Sequence, residues 1–138
     1  MTLVERKVQK IGISKSIAAA TKEVVYELKA SKNQQFIILK IDLKDANFNR
    51  VSGIDITLKR VIGTIEQIVN PVIDSAFAPI ELGNILYAIR GIPAEKGMIK
   101  EGLVIPEMSS LRIELNNKTT SSINYNLSIE YIDELYSE

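Results

Sequence analysis

The side chains that carry most protein chemistry are scarce in this chain. It has no His and no Cys. Without His the commonest general base and the commonest metal ligand are missing. Without Cys there is no thiolate nucleophile, no disulfide and no thiolate-bound zinc or iron–sulfur centre. A Ser-His-Asp triad is impossible as usually built. A carboxylate pair, a lysine, or a serine activated by a lysine is what remains. "ISKS" (Ile13–Ser16) holds Ser14, Lys15 and Ser16. Neighbours on an extended chain point to opposite faces, so this spacing alone makes no nucleophile–base pair. "DLKDAN" holds Asp42, Asp45 and Asn47. It has the oxygen groups of a calcium loop but not the alternating ligand spacing, the turn glycine or the distal Glu. It reads as a polar loop after a strand. The glycines (Gly12, Gly53, Gly63, Gly83, Gly91, Gly97 and Gly102) are scattered, and none builds a phosphate loop. The expectation is a non-enzymatic protein with no catalytic residue, no metal and no cofactor.

A length of 138 residues suits one domain. The apolar share of 46% and charged share of 25% are those of an ordinary globular chain. Basic and acidic residues number 17 each. Phosphate neutralisation normally demands a basic excess, so no specific nucleic-acid partner is expected. No apolar run approaches the ~20 residues that span a bilayer, so no membrane association is expected. "MTLVERKVQK" carries charges where a secretion signal needs an apolar core. "NKT" at Asn117 and "NLS" at Asn126 then read as chance matches to a glycosylation pattern. Charge is uneven at the ends: Arg6, Lys7, Lys10 and Lys15 face only Glu5, while Glu130, Asp133, Glu134 and Glu138 have no basic neighbour. Two solvated ends would explain this. So would a contact between the arm of one copy and the tail of the next, with charge setting register.

The elements that must position these groups are strands. Residues 1–21 lack a firm period and read as an N-terminal arm, with room for a short strand at Val4–Ile11 or a short helix over Ser16–Thr21. In "KEVVYELKA", Val24, Tyr26, Leu28 and Ala30 share one face. In "QFIILKIDL", Ile37, Leu39, Ile41 and Leu43 do. With the polar turn "SKNQ" between them, these two segments predict an antiparallel pair. "IDITLKRV" alternates again. "GTIEQIVNP" has a Thr64–Gln67 capping box and Pro71 as a stop, which predicts a helical turn at Ile65–Asn70, with a continuing strand as the alternative. "SSLRIELNNKTTSSINYNLSIEYI" (Ser109–Ile132) puts Leu111, Ile113, Leu115, Ile123, Tyr125, Leu127, Ile129 and Tyr131 on the dry side. It predicts a hairpin with a loop of four or five residues. Scarce helix and one-faced strands predict an all-β fold: an antiparallel two-sheet β-sandwich over residues 22–138, with the jelly roll among the arrangements allowed.

Between Asn70 and Pro93 the chain is apolar yet broken by Pro and Gly. A monomer exposes only modest apolar patches. Val72, Ile73, Phe77, Ile80, Leu82, Ile85, Leu86, Tyr87, Ile89 and Ile92 are therefore the candidate subunit interface. The stretch "GLVIPEMSSLRIELNNKTTSSINYNLSIEYI" resembles the closing strands of small β-sandwich virion proteins of bacterial and archaeal viruses. "AATKEVVYELKASKNQQFIILKI" is similar to their opening strands. That resemblance implies a capsid, decoration or other particle subunit, located in the virion. Its partners would be copies of itself and other particle proteins, in a homo-oligomer. A carbohydrate- or protein-binding β-sandwich module, located in the cytoplasm, is the competing expectation. Aromatic residues at 6% and the absence of Trp weigh against sugar stacking.

Overall fold

A computed structural model describes residues 2–69, 72–83 and 102–137. Ten strands form two five-stranded sheets. Sheet A runs β1 (Thr2–Ile17), β10 (Ile123–Ser137), β3 (Gln34–Asp45) and β7 (Ile80–Glu81), with β8 (Leu103–Ile105) also on β3. Sheet B runs β2 (Thr21–Lys29), β9 (Ser110–Asn117), β4 (Ile54–Ile62) and β5 (Ile65–Ile68), with β6 (Ile73–Asp74) also on β4. All pairings are antiparallel. They are nested: first strand with last, second with next to last, third with β7 and β8, fourth with fifth. A long antiparallel ribbon wound round one core gives this order, which is the jelly roll.

Two local expectations change. The segment read as an arm is strand β1, laddered to β10 from Thr2↔Ser137 to Ile17↔Ile123. Its pattern is weak because it is an edge strand with a solvated outer face. Only Ile17 is buried in the core, with Ile11 and Ile13 packed against it. The expected helical turn at Ile65–Asn70 is instead strand β5 over Ile65–Ile68. Gly63, at φ +61, heads a two-residue hairpin turn that carries β4 straight into it. A single 3-10 turn, Ser75–Phe77, is capped by Asp74, whose carboxylate accepts from the Ala76 N–H.

The two expected hairpins are not hairpins. β2 and β3 lie in opposite sheets, and so do β9 and β10. Their connections, Ala30–Asn33 and Lys118–Ser122, cross from one sheet to the other. Alternation tells which face of a strand is dry, but a dry face can belong to a neighbour in the same sheet or to one facing it across the core. The Ser109–Ile132 stretch therefore supplies the central strand of each sheet. β9 sits between β2 and β4, and β10 sits between β1 and β3.

The predicted dry side of β9 and β10 is the core, where Leu111, Ile113, Leu115, Leu127 and Ile129 are buried against Ile54, Ile56 and Leu58 of β4. Bulges reset the phase on the other strands. The shift between Val24 and Tyr26 turns Val25 inward and leaves Val24 exposed. On β3 the extra residue is Leu39, so Ile41 and Leu43 face the core above it and Phe36 and Ile38 below it. Phe36 meets Tyr131 edge to face, with ring centres 5.1 Å apart. Among the described residues the buried Tyr125 hydroxyl finds no hydrogen-bond partner. Burial, aided by Glu23, pushes this phenol above its ordinary range. Tyr125→Phe removes a stranded donor at little loss of packing. It is expected to raise stability by about 0.5–1 kcal/mol, read as a higher urea midpoint at unchanged slope.

One polar anchor ties the two sheets together, and a second ties the three long strands of sheet A. At the end where β9 stops, the buried Asn117 amide donates to the carbonyls of Ile17 (3.2 Å), Ala18 (3.1 Å) and Ser121 (2.9 Å). Its oxygen accepts from the Thr119 N–H (3.0 Å) and hydroxyl (2.7 Å). At the opposite end Glu134, 1% exposed, pairs with Arg6 of β1, whose Nε donates at 2.7 Å. Gln35 (2.6 Å) and the Tyr136 hydroxyl (3.0 Å) also donate to it. The basic start and acidic end of the sequence thus meet inside one chain.

Candidate functional site

The outer faces of the two sheets differ in what their side chains are free to do. On sheet B the charges consume one another. Glu27 accepts from Arg112 (2.5 Å), Arg112 reaches Glu66 (3.2 Å), and Glu66 pairs with Lys59 (3.3 Å). Lys59 pairs with Glu114 (3.1 Å), and Glu114 with Lys22 (3.6 Å). The hydrogen bond to Glu114 holds the Lys59 ammonium above its ordinary range, against its partial burial. Three cations and three carboxylates across four strands leave a neutral, self-satisfied surface.

On sheet A the strand register sets out a different pattern. Ser14, Asn126 and Lys44 form one row across β1, β10 and β3. Gly12, Ser128 and Asp42 form the next, and Lys10, Glu130 and Lys40 the third. The middle row is small in the centre and the flanking rows are long. A groove of about 490 Å³ results, with Phe48 of the following loop on its rim. A Cβ added at Gly12 would meet nothing within 4 Å. The floor is held by Asn126, whose oxygen accepts from the Ser14 hydroxyl and whose amide donates to the Asp45 carbonyl (2.9 Å). Asp42 is engaged by Arg50 at 2.6 Å. Lys10, Lys40 and Glu130 make no ion pair among the described residues. Phe48 is 70% exposed and sits at φ +61, a left-handed backbone that a bulky residue adopts at a cost.

The residues singled out for chemistry go to structural tasks. Ser14 bonds Asn126, while Lys15 stands on the other face of β1, so the two do not converge. Asp45 uses one oxygen to accept from the N–H groups of Asn47 and Asn49, both at 2.9 Å, which builds the turn that presents Phe48. Among the described residues no three carboxylates gather into a cation site.

The candidate interface divides. Ile80 is core, pairing with Ile41, and Ile73 and Leu82 are partly buried against the core. They close the sandwich edges through β6 and β7, strands too short to show in the sequence. Val72 and Phe77 are exposed, Phe77 at 80%. Ile85, Leu86, Tyr87, Ile89 and Ile92 lie outside the described residues. Sequence reasoning missed Ile65 and Ile68, exposed at 69% and 62% on β5. With Val72 and Phe77 they line the interrupted outer edge of sheet B, where no described strand pairs beyond β5. The groove was missed as well, because its three rows come from stretches far apart in the chain. No family model, no curated protein and no solved structure matches this chain.

Proposed function

We propose that this protein is a non-enzymatic structural subunit of a larger assembly, of the capsid or decoration type found in virus particles. In this reading it joins copies of itself along the β5–β6 edge of sheet B. One observation carries the reading. Ile65 and Ile68 on β5 and Val72 just before β6 stand exposed where β5 and β6 pair with β4, and Phe77 is exposed in the 3-10 turn that follows β6. Isolated surface apolar residues mean little, but several on one edge mark an interaction surface. The jelly-roll order adds support by fold analogy alone, since capsid subunits are among the proteins that share it. The scarcity of nucleophile–base pairs points the same way.

Size-exclusion chromatography with light scattering tests it. The wild type is expected to elute as a defined oligomer. Ile65→Lys combined with Phe77→Asp is expected to convert it to a folded monomer, because both side chains are exposed in the single subunit. A wild type that stays monomeric at high concentration, or a double variant that keeps the oligomer, would overturn the reading.

A further inference from the structure

We infer that the groove on the outer face of sheet A is a binding site for an acidic oligosaccharide, one that carries carboxylate groups. This goes beyond the assembly reading and does not depend on it. The groove's volume lies within the range of about 300–1,000 Å³ typical of small-ligand sites. Its rows run about 13 Å along the strands, long enough for a short sugar chain. The floor cannot capture a peptide strand, because β10 is already paired on both sides. It offers hydroxyl and amide groups instead: Ser14, Ser128 and Asn126. These match the alternating donors and acceptors of sugar hydroxyls.

Two further features narrow the class. Phe48 holds an aromatic ring in water at the rim, and an apolar ring face is what the C–H face of a sugar packs against. The charge is also lopsided. Asp42 is taken by Arg50 at 2.6 Å and by Lys44 at 4.0 Å, which leaves Lys10 and Lys40 around Glu130. Lys10 and Lys40 lie directly across from Glu130 on its two neighbouring strands. A carboxylate on the sugar would sit between these ammonium groups, and Glu130 would accept from a sugar hydroxyl. A neutral glycan would leave the cations without a counter-charge.

Titration of amide-resolved NMR spectra tests the proposal. The probes are oligogalacturonate, hyaluronan hexasaccharide and sialyllactose, with cellohexaose as the neutral control and acetate as the free carboxylate. At least one acidic probe is expected to bind with Kd of about 1 mM or tighter and to move the Gly12, Ser14, Asn126 and Ser128 amides. Cellohexaose and acetate are expected to bind at least about tenfold more weakly. Gly12→Phe sends a ring into the groove from a position where a Cβ has open space, and should abolish the shifts while the fold stays intact. Phe48→Gly relieves the left-handed backbone, so it should raise the melting temperature and yet weaken binding. Ile65→Lys with Phe77→Asp should leave binding unchanged, so loss of assembly and loss of sugar binding are separable. The proposal is overturned if no acidic probe binds, if acetate matches the acidic sugars, or if Gly12→Phe binds as well as the wild type.

Discussion

Asn117→Ala is expected to destabilise the protein by about 3 kcal/mol, the loss of one side chain that serves two loops. The amide donates to the carbonyls of Ile17 and Ala18 and shares the Ser121 carbonyl with the Thr119 hydroxyl, while its oxygen receives Thr119 twice. Truncation strands these groups where water has poor access, and a buried unsatisfied group costs about 1–3 kcal/mol. Asn117→Asp keeps the size and the acceptor but loses the donors, and it sets a negative charge against carbonyl oxygens. It should cost at least as much as alanine, which a mere packing role would not predict. Urea denaturation followed by circular dichroism reads both, as a lower midpoint at constant slope. A loss below about 1 kcal/mol for both variants would show that the loops hold without the amide.

Glu134→Ala is expected to cost about 2 kcal/mol at neutral pH and to flatten the acid limb of the stability curve. Burial pushes the Glu134 carboxyl up, but the hydrogen bonds from Gln35, Arg6 and Tyr136 outweigh it and hold the group below its ordinary value of 4.5. The unfolded chain therefore takes up the proton at higher pH than the folded one. The stabilisation is complete above the ordinary value and is lost as pH falls through the lower folded value. Arg6 is one-third exposed, so solvent screens the pair and the figure stays well short of that for a deeply buried one. Asp74 adds to the same window. Burial raises it, yet the N–H groups of Ala76 and Gly53 and the Lys118 ammonium bring it down further. A Glu134→Ala variant should keep the Asp74 part of the acid dependence and lose its own. Stability measured from pH 7 to the acid side, in wild type and variant, gives the difference directly. Parallel curves would mean that the carboxylate titrates alike in folded and unfolded chains.

The dry faces of β9 and β10 and the sandwich class were legible in the sequence, because a period of two writes burial plainly on central strands. Partners were not legible. The segments around Tyr26 and Ile38 seemed to pair because they are adjacent in the chain, yet their shared apolar faces look at each other across the core. Val25 and Leu39 hid a second fact, since one extra residue reverses every side chain beyond it. Residues 2–17 gave only a short candidate strand at Val4–Ile11, because an edge strand places few residues in the core. Half of the proposed edge, Val72 and Phe77, was visible as apolar residues that a lone domain need not carry. Ile65 and Ile68 were masked by a helical spacing that a two-residue turn overrode. The groove could not be found in one dimension, because Gly12, Asp42 and Ser128 become neighbours only through the register of three strands.

The nested pairing also sets the order in which the molecule can be made. β1 and β2 leave the ribosome first, and their ladder partners, β10 and β9, leave last. Until the final segment is released, β1 and β3 have nothing between them, and neither have β2 and β4. Among the described strands, the short ladders of β3 and β4 with their local partners are the ones that can form earlier. Nearly the whole chain must therefore wait, with its apolar strands unpaired, for one insertion step that completes both sheets together. Closing such distant pairs is slow compared with local structure formation. The growing chain is then most vulnerable to wrong association just before its last strand arrives.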